Sequence, residues 1–252
     1  MIDREELLEL AESAHLAPRF AELGYLQDIA LLNISREFGN TLPFKGGTCL
    51  YKVYQLNRFS EDLDFTAMKG FKPKDFFHRL PYLFNLLDIK SAVSVKGFGN
   101  AINAYLDASG PLYDGRKESR ATLVFNISLR ERVLMPVRRY PYRPSAREIR
   151  AFDIFAMDEN EILAEKARAI CGRNKARDVY DLWYLLKVRG LAFDVAFADK
   201  KLSYDKIRFE KGMFLAKIEE KRTSWERDLG ALVSGELPPF DEAKKAIEGA
   251  LG

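Results

Sequence analysis

The chain has 252 residues, 47% of them apolar and 31% charged, with a net charge of +3. This balance fits a folded protein rather than a disordered or fibrous one, and the length allows one large domain or two modest ones. So mild a positive charge does not itself require a nucleic-acid partner, and no apolar run approaches the roughly 18 residues that span a bilayer.

The opening MIDREELLELAE is acidic and helix-like, without the basic start and apolar core of a signal peptide, so a cytoplasmic, soluble protein is expected. From Glu5 to about Phe38 apolar residues recur at helical spacing, among them Leu23, Leu26, Ile29, Ala30 and Leu32, which predicts at least two helices broken near Pro18. Pro43 and Gly46-Gly47 mark a turn, Thr48 to Leu56 reads as a short helix and Leu63 to Thr66 as a strand. Asp75 to Leu87 is an amphipathic helix, and Ser91 to Val95 and Ala101 to Leu106 are strands joined by a turn at Lys96-Gly97-Phe98-Gly99-Asn100. Thr122 to Arg130 is the clearest strand, with Leu123, Phe125, Ile127 and Leu129 on one face.

Beyond Asp158 the pattern turns helical. Asp158 and Glu161 are spaced as a capping box, the helix they open ends near Gly172, a second runs from Ala176 to Arg189 before Gly190, and two or three more follow. The expected architecture is α+β, a mixed sheet flanked by helices over residues 1–150 with a helical domain over 151–252. There is no internal repeat and no low-complexity segment.

The stretch GGTCLYKVYQLNRFSEDLDF, Gly46 to Phe65, carries the chemistry. Alternation along a strand puts Asp62 and Asp64 on one face, where their like charges invite a divalent cation that also recruits phosphate oxygens. Gly46 and Gly47 let backbone N–H groups approach a polyphosphate, and Thr48 adds a hydroxyl. Asp-x-Asp alone is common; placed one helix after Gly-Gly-Thr it points to nucleotidyl transfer, where metal ions align the attacking and leaving oxygens.

Competing chemistries are poorly supplied. Cys49 and Cys171 lie outside any zinc spacing and read as small buried residues, and His15 and His78 are too few for a histidine-based zinc site or a serine triad. No GxxxxGK[ST] loop occurs, and Gly97-Phe98-Gly99 lacks the third glycine of a dinucleotide fingerprint.

FKGGTCL followed by RFSEDLDF, and later ILAEKARAI with RDVYDLWYLL, resembles the AbiEii/AbiGii-type nucleotidyltransferase toxins, from the helix before Phe44 to Leu186. The resemblance implies a DNA polymerase β-like nucleotidyltransferase core with a helical C-terminal half, and a toxin of a toxin–antitoxin or phage-defence system with a cognate antitoxin. It implies an enzyme that transfers NMP from an NTP, with Mg2+ or Mn2+ on Asp62 and Asp64, to an acceptor such as a tRNA 3′ end. By motif position Gly46, Gly47 and Thr48 hold the triphosphate, and Lys166 and Asp178 match the later blocks. Lys166 offers a point charge to the triphosphate and Asp178 an acceptor to a ribose, base or attacking hydroxyl, with Asp181 in support. Arg58 and Ser60 flank the carboxylates as phosphate contacts or as loop caps.

One departure stands out: where many polymerase β-like enzymes have a third metal-binding carboxylate, the strand FNISLRE offers Asn126. A single principal metal, substitution by Glu131 or another acid, or weak catalysis would each follow. Residues 130–150 carry seven arginines (Arg130, Arg132, Arg138, Arg139, Arg143, Arg147, Arg150) against Glu131 and Glu148, with Tyr140 and Tyr142 interleaved. This is either an RNA-contacting stretch, arginines on phosphates and tyrosines on unpaired bases, or a charged edge strand that discourages aggregation. Arg168, Arg173, Lys175 and Arg177 form a second basic cluster. A small-molecule nucleotidyltransferase and a catalytically degraded nucleotide- or RNA-binding relative are the rival expectations.

Overall fold

In the computed structural model, which describes residues 1–97 and 99–252, Asp3 opens the first helix, α1 (Arg4–Ser13), through a reciprocal capping box with Glu6. Pro18 stands in the first turn of α2 (Pro18–Glu37), where its missing N–H costs nothing, and the helix buries Tyr25, Leu26, Ile29 and Ala30. β1 (Phe44–Lys45), α3 (Gly46–Lys52) and β2 (Leu63–Thr66) follow. α4 (Pro73–Asn85) buries a stripe of Phe76, Leu80 and Phe84 at helical spacing, and the Phe76 ring stands 5.6 Å from that of Phe125.

β3 (Ser91–Lys96), β4 (Ala101–Ala108), β5 (Ala121–Ser128), β6 (Arg138–Tyr142) and β7 (Phe152–Ala156) complete one seven-stranded sheet in the order β3-β4-β5-β2-β1-β7-β6. β2 runs parallel to β5 and β1 parallel to β7, while the remaining neighbours are antiparallel. The expected mixed sheet is therefore present. The turn expected at Gly97-Phe98-Gly99 includes Phe98, which lies outside the described residues. Leu123, Phe125 and Ile127 are fully buried, but β5 ends at Ser128 and Leu129 is 41% exposed, so it does not share their face as the alternation predicted. β6 is an edge strand, which is why Pro141 can sit within it without breaking a ladder on both sides.

By its internal contacts the chain forms two units: Met1–Val53 with Glu61–Met157, which contains the sheet, and Tyr54–Ser60 with Asp158–Gly252. The second unit holds α5 (Glu159–Gly172), α6 (Ala176–Trp183) continued by one π-helical turn over Tyr184–Val188, α7 (Val195–Leu202), α8 (Lys211–Glu219), α9 (Trp225–Leu229) and α10 (Phe240–Ala250). After the π-helical turn come four α-helices rather than two or three; α9 is too short to leave a periodic signal. At the start of α5 the Asp158 side chain accepts from the Asn160 N–H, while the Glu161 carboxylate, expected back at the cap, takes a fully buried ion pair with Lys201 at 2.5 Å. The segment Tyr54–Ser60 is fastened within this unit. Phe59 N–H donates to the Leu232 carbonyl at 2.8 Å, Ser234 N–H to that of Asn57 at 2.7 Å, and the Tyr184 hydroxyl to the Gln55 carbonyl at 2.8 Å.

Candidate active site

In the first unit the polypeptide turns from β1 into α3 at Gly46, whose φ of +74° lies in the left-handed region. A Cβ built there would stand 2.2 Å from Asp64 Oδ2, so glycine is demanded twice, by backbone conformation and by the carboxylate pressed against it. Burial alternates along the chain entering β2: Leu63 and Phe65 are buried, whereas Asp62 and Asp64 are half-exposed. The glycine turn and the Asp64 carboxylate are thus parts of one construction.

The surrounding groups fix the Asp64 side chain and the Asp62 backbone. Asn126, the register partner of Asp64 on β5, donates its amide N–H to Asp64 Oδ1 at 3.0 Å. The Thr48 hydroxyl, expected on a phosphate, is buried and donates to the Asp62 carbonyl, so it holds the backbone of the metal-ligand candidate instead. Lys45 Nζ lies 2.5 Å from Glu131 Oε2, with both side chains nearly buried. Lys45, Asp64, Asn126, Arg130 and Glu131 line one cleft of about 340 Å³. Burial and the neighbouring Asp64 charge push the Cys49 thiol far above its ordinary value, which keeps it protonated and inert. Sequence reasoning gave Lys45 no role, although it stands in the FKGGTCL block as a charged residue directly after the apolar Leu42–Phe44 run and before the two glycines.

The second unit holds Arg58, Ser60, Lys166 and Asp178, all of them buried. Arg58, expected on phosphate or as a loop cap, donates through Nε and Nη2 to the two oxygens of Asp181, each at 2.9 Å. Lys166 Nζ stands 2.6 Å from Asp181 Oδ2 and 3.0 Å from Asp178 Oδ1. Arg173 closes the chain, with Nε 2.7 Å from Asp178 Oδ2 and Nη2 2.8 Å from Oδ1. Asp181 is therefore the bridge of a buried network. Burial by itself would push Asp178 up, but Lys166 and Arg173 hold it well below the ordinary carboxylate range. For Lys166 burial opposes the charge, and Asp181 and Asp178 outweigh it, so the ammonium is held above its ordinary value.

All seven arginines of residues 130–150 are exposed. Arg139 pairs with Asp153 at 2.5 Å, and Arg130 lines the cleft beside Asp64. Tyr142 is not offered to a base: its hydroxyl donates to Asp28 Oδ1 at 2.8 Å, where Lys52 Nζ also donates at 2.6 Å, and its ring packs 5.5 Å from that of Phe152.

Residues 30–246 match the family described as nucleotidyl transferase AbiEii toxin, type IV TA system. The chain belongs to the AbiEii family. AbiEii membership makes it a nucleotidyltransferase and a toxin of the type IV toxin–antitoxin class, which implies an NTP substrate and an antitoxin partner. Its fold is similar to that of MenT4, a nucleotidyltransferase toxin of Mycobacterium tuberculosis H37Rv, with a TM-score of 0.69 and 19% identity over 99% of this chain and 88% of that one. It is also similar to JHP933 from Helicobacter pylori, with a TM-score of 0.59 and 19% identity over 93% and 91% of the two chains. At such identities the likeness is one of fold. No curated protein matches the chain. No described helix of this AbiEii protein is long and apolar enough to cross a membrane.

The AbiEii nucleotidyltransferase fold typically employs a divalent metal. Among the described residues no group of three or more His, Cys, Asp or Glu is arranged to hold an ion. Two carboxylates nevertheless suit magnesium, which keeps several waters and is commonly held by one or two acids together with substrate phosphates. The Asp64 carboxylate packs directly against Gly46, and Asp64 also lines the cleft. Asp62 and Asp64 are the acids that would hold such an ion.

Proposed function

We propose that this AbiEii toxin uses Asp62 and Asp64 to hold Mg2+ or Mn2+ and transfers NMP from an NTP to the terminal hydroxyl of an RNA, such as a tRNA 3′ end. The observation that carries the reading is the contact between Gly46 and Asp64, which ties the phosphate-approachable turn to the carboxylate of the Asp-x-Asp motif. When bound, the ion neutralises phosphate charge and helps align the attacking and leaving oxygens. The backbone N–H groups of Gly46, Gly47 and Thr48 face the triphosphate, and the Thr48 hydroxyl keeps Asp62 in place. In the reaction the acceptor oxygen bonds to the α-phosphorus, the bond to the β-phosphate oxygen breaks, pyrophosphate departs and the hydroxyl proton is lost.

RNA is favoured as acceptor by the seven exposed arginines of residues 130–150, one of which reaches the Asp64 cleft. An NTP and an RNA acceptor place the activity in the cytoplasm, consistent with a role in growth arrest or phage defence. In the second unit the resemblance sends Lys166 to the triphosphate and Asp178 to the acceptor. Both are already neutralised within their own network, so the reading rests on Asp62 and Asp64 and does not depend on them.

Incubating the protein with each labelled NTP, Mg2+ or Mn2+ and total tRNA tests it. Label on RNA with the wild-type chain, and none with Asp64→Asn of wild-type stability, is the expected result. Label on a small metabolite and not on RNA would replace the acceptor, and no transfer with any NTP, metal or acceptor would refute the reading.

A further inference from the structure

The sheet row that contains Asp64 reads Asn103, Asn126, Asp64, Lys45 across β4, β5, β2 and β1. Residues opposite one another on paired strands project to the same face, so this row offers one carboxylate, two amides and one ammonium. A centre with two divalent ions is built on carboxylates that bridge or flank both ions. Here the position beside Asp64 on β5 is an amide that points its N–H, a positive hydrogen, at Asp64 Oδ1 from 3.0 Å, which occupies the oxygen from that side. The remaining acid of the cleft, Glu131, faces Lys45 Nζ at 2.5 Å with the two side chains only 7% and 10% exposed.

The charges follow the same pattern. In the cleft lining Asp64 and Glu131 stand against Lys45 and Arg130, equal in number, so that only Asp62, which is not part of that lining, adds a negative charge for a divalent ion to meet. A second ion would bring two further positive charges with no additional acid to receive them. An ammonium is a compact point charge able to donate to phosphate oxygens, and Lys45 is fixed by β1 and by Glu131 on the face that Asp64 shares.

Resting on the assignment of Asp62 and Asp64 as metal ligands, we propose that Lys45, aimed by Glu131, takes the place of a second divalent cation. The centre holds one ion, and the Lys45 ammonium supplies the other positive charge to the phosphates of the NTP. Glu131 is a positioning residue: it holds the ammonium in register and is not itself a metal ligand.

The test is a count of ions. Crystals of the full chain grown with Mn2+ and a non-hydrolysable NTP analogue, measured at the manganese absorption edge, should show one anomalous peak per chain, at Asp62 and Asp64, with Lys45 Nζ against a phosphate oxygen. Two peaks overturn the inference and leave the nucleotidyltransferase reading intact; no peak at these residues overturns both. The count in the unmodified chain requires no variant to fold. In solution, Lys45→Met should weaken analogue binding at saturating Mn2+ by about 10- to 100-fold, the loss of a charge-assisted hydrogen bond, with the melting temperature measured in parallel. Equilibrium dialysis of Lys45→Met/Asn126→Asp should recover a second bound Mn2+ per chain. Unchanged analogue affinity in a folded Lys45→Met, or a single ion in the folded double variant, would each count against Lys45 as the replacement.

Discussion

Replacing Gly46 by alanine perturbs the candidate site at one atom. Two costs add. An L-residue at φ +74° carries the left-handed penalty of roughly 1–2 kcal/mol. The new Cβ would meet Asp64 Oδ2 at 2.2 Å, so the carboxylate or the turn must retreat by about 1 Å, an overpacking strain of roughly 1–3 kcal/mol. The expected loss is about 3 kcal/mol, a fall in melting temperature of roughly 6–12 °C for a chain of this size. Displacing a reacting group by about 1 Å also costs on the order of 100-fold in turnover. Thermal denaturation and transfer of labelled NMP, each at saturating metal, measure the two effects. Gly249→Ala is the control: nothing lies within 4 Å of its Cβ position and its residue is helical, so it should be neutral or slightly stabilising. A Gly46→Ala protein within about 0.5 kcal/mol of wild type and with full turnover would refute the argument that glycine is required by Asp64.

The remaining expectations concern the two charged regions. Asp181→Asn leaves Arg58 and Lys166 short of their shared buried carboxylate and should destabilise by about 3–5 kcal/mol in urea unfolding; a loss below about 1 kcal/mol would show that the network is not held by that bridge. Asp178 is held below its ordinary value, so its stabilisation is complete above the unfolded carboxylate pKa of about 4 and fades as pH falls below it; Asp178→Asn should flatten the acid limb of a stability profile. Lys166 is held above its ordinary value, so its share is complete below about pH 10 and fades as pH rises through the folded value, which Lys166→Met should abolish. If Arg138 and Arg143 meet phosphates, the double Glu variant should weaken RNA binding and lower the salt slope by about 2, whereas an unchanged slope assigns them to edge protection alone.

The elements that were legible in the sequence owe their signal to neighbours a few residues away. α4 announced itself by Phe76, Leu80 and Phe84, β5 by strict alternation, and the contact of Gly46 with Asp64 by a glycine turn and a carboxylate one short helix apart. What remained hidden was decided at a distance. Lys45 and Glu131 are 86 residues apart, and Asp181 takes Arg58 from 123 residues upstream. Nothing local distinguishes an arginine bound for a buried carboxylate from one bound for phosphate, which is why Arg58 read as a phosphate contact or a loop cap. β6 was legible as one of two readings of residues 130–150, a charged edge strand, though without bounds, because its arginines and proline are residues that an edge strand tolerates and a propensity scale penalises.

The excursion of Tyr54–Ser60 limits how the protein can be dissected. Ending expression at Met157 would leave Tyr54, Leu56 and Phe59 apolar and stranded, together with an Arg58 severed from its carboxylate, on an otherwise whole sheet. No single cut yields two self-sufficient halves; each fragment would need either a shortened linker in place of those seven residues or its missing complement supplied in trans.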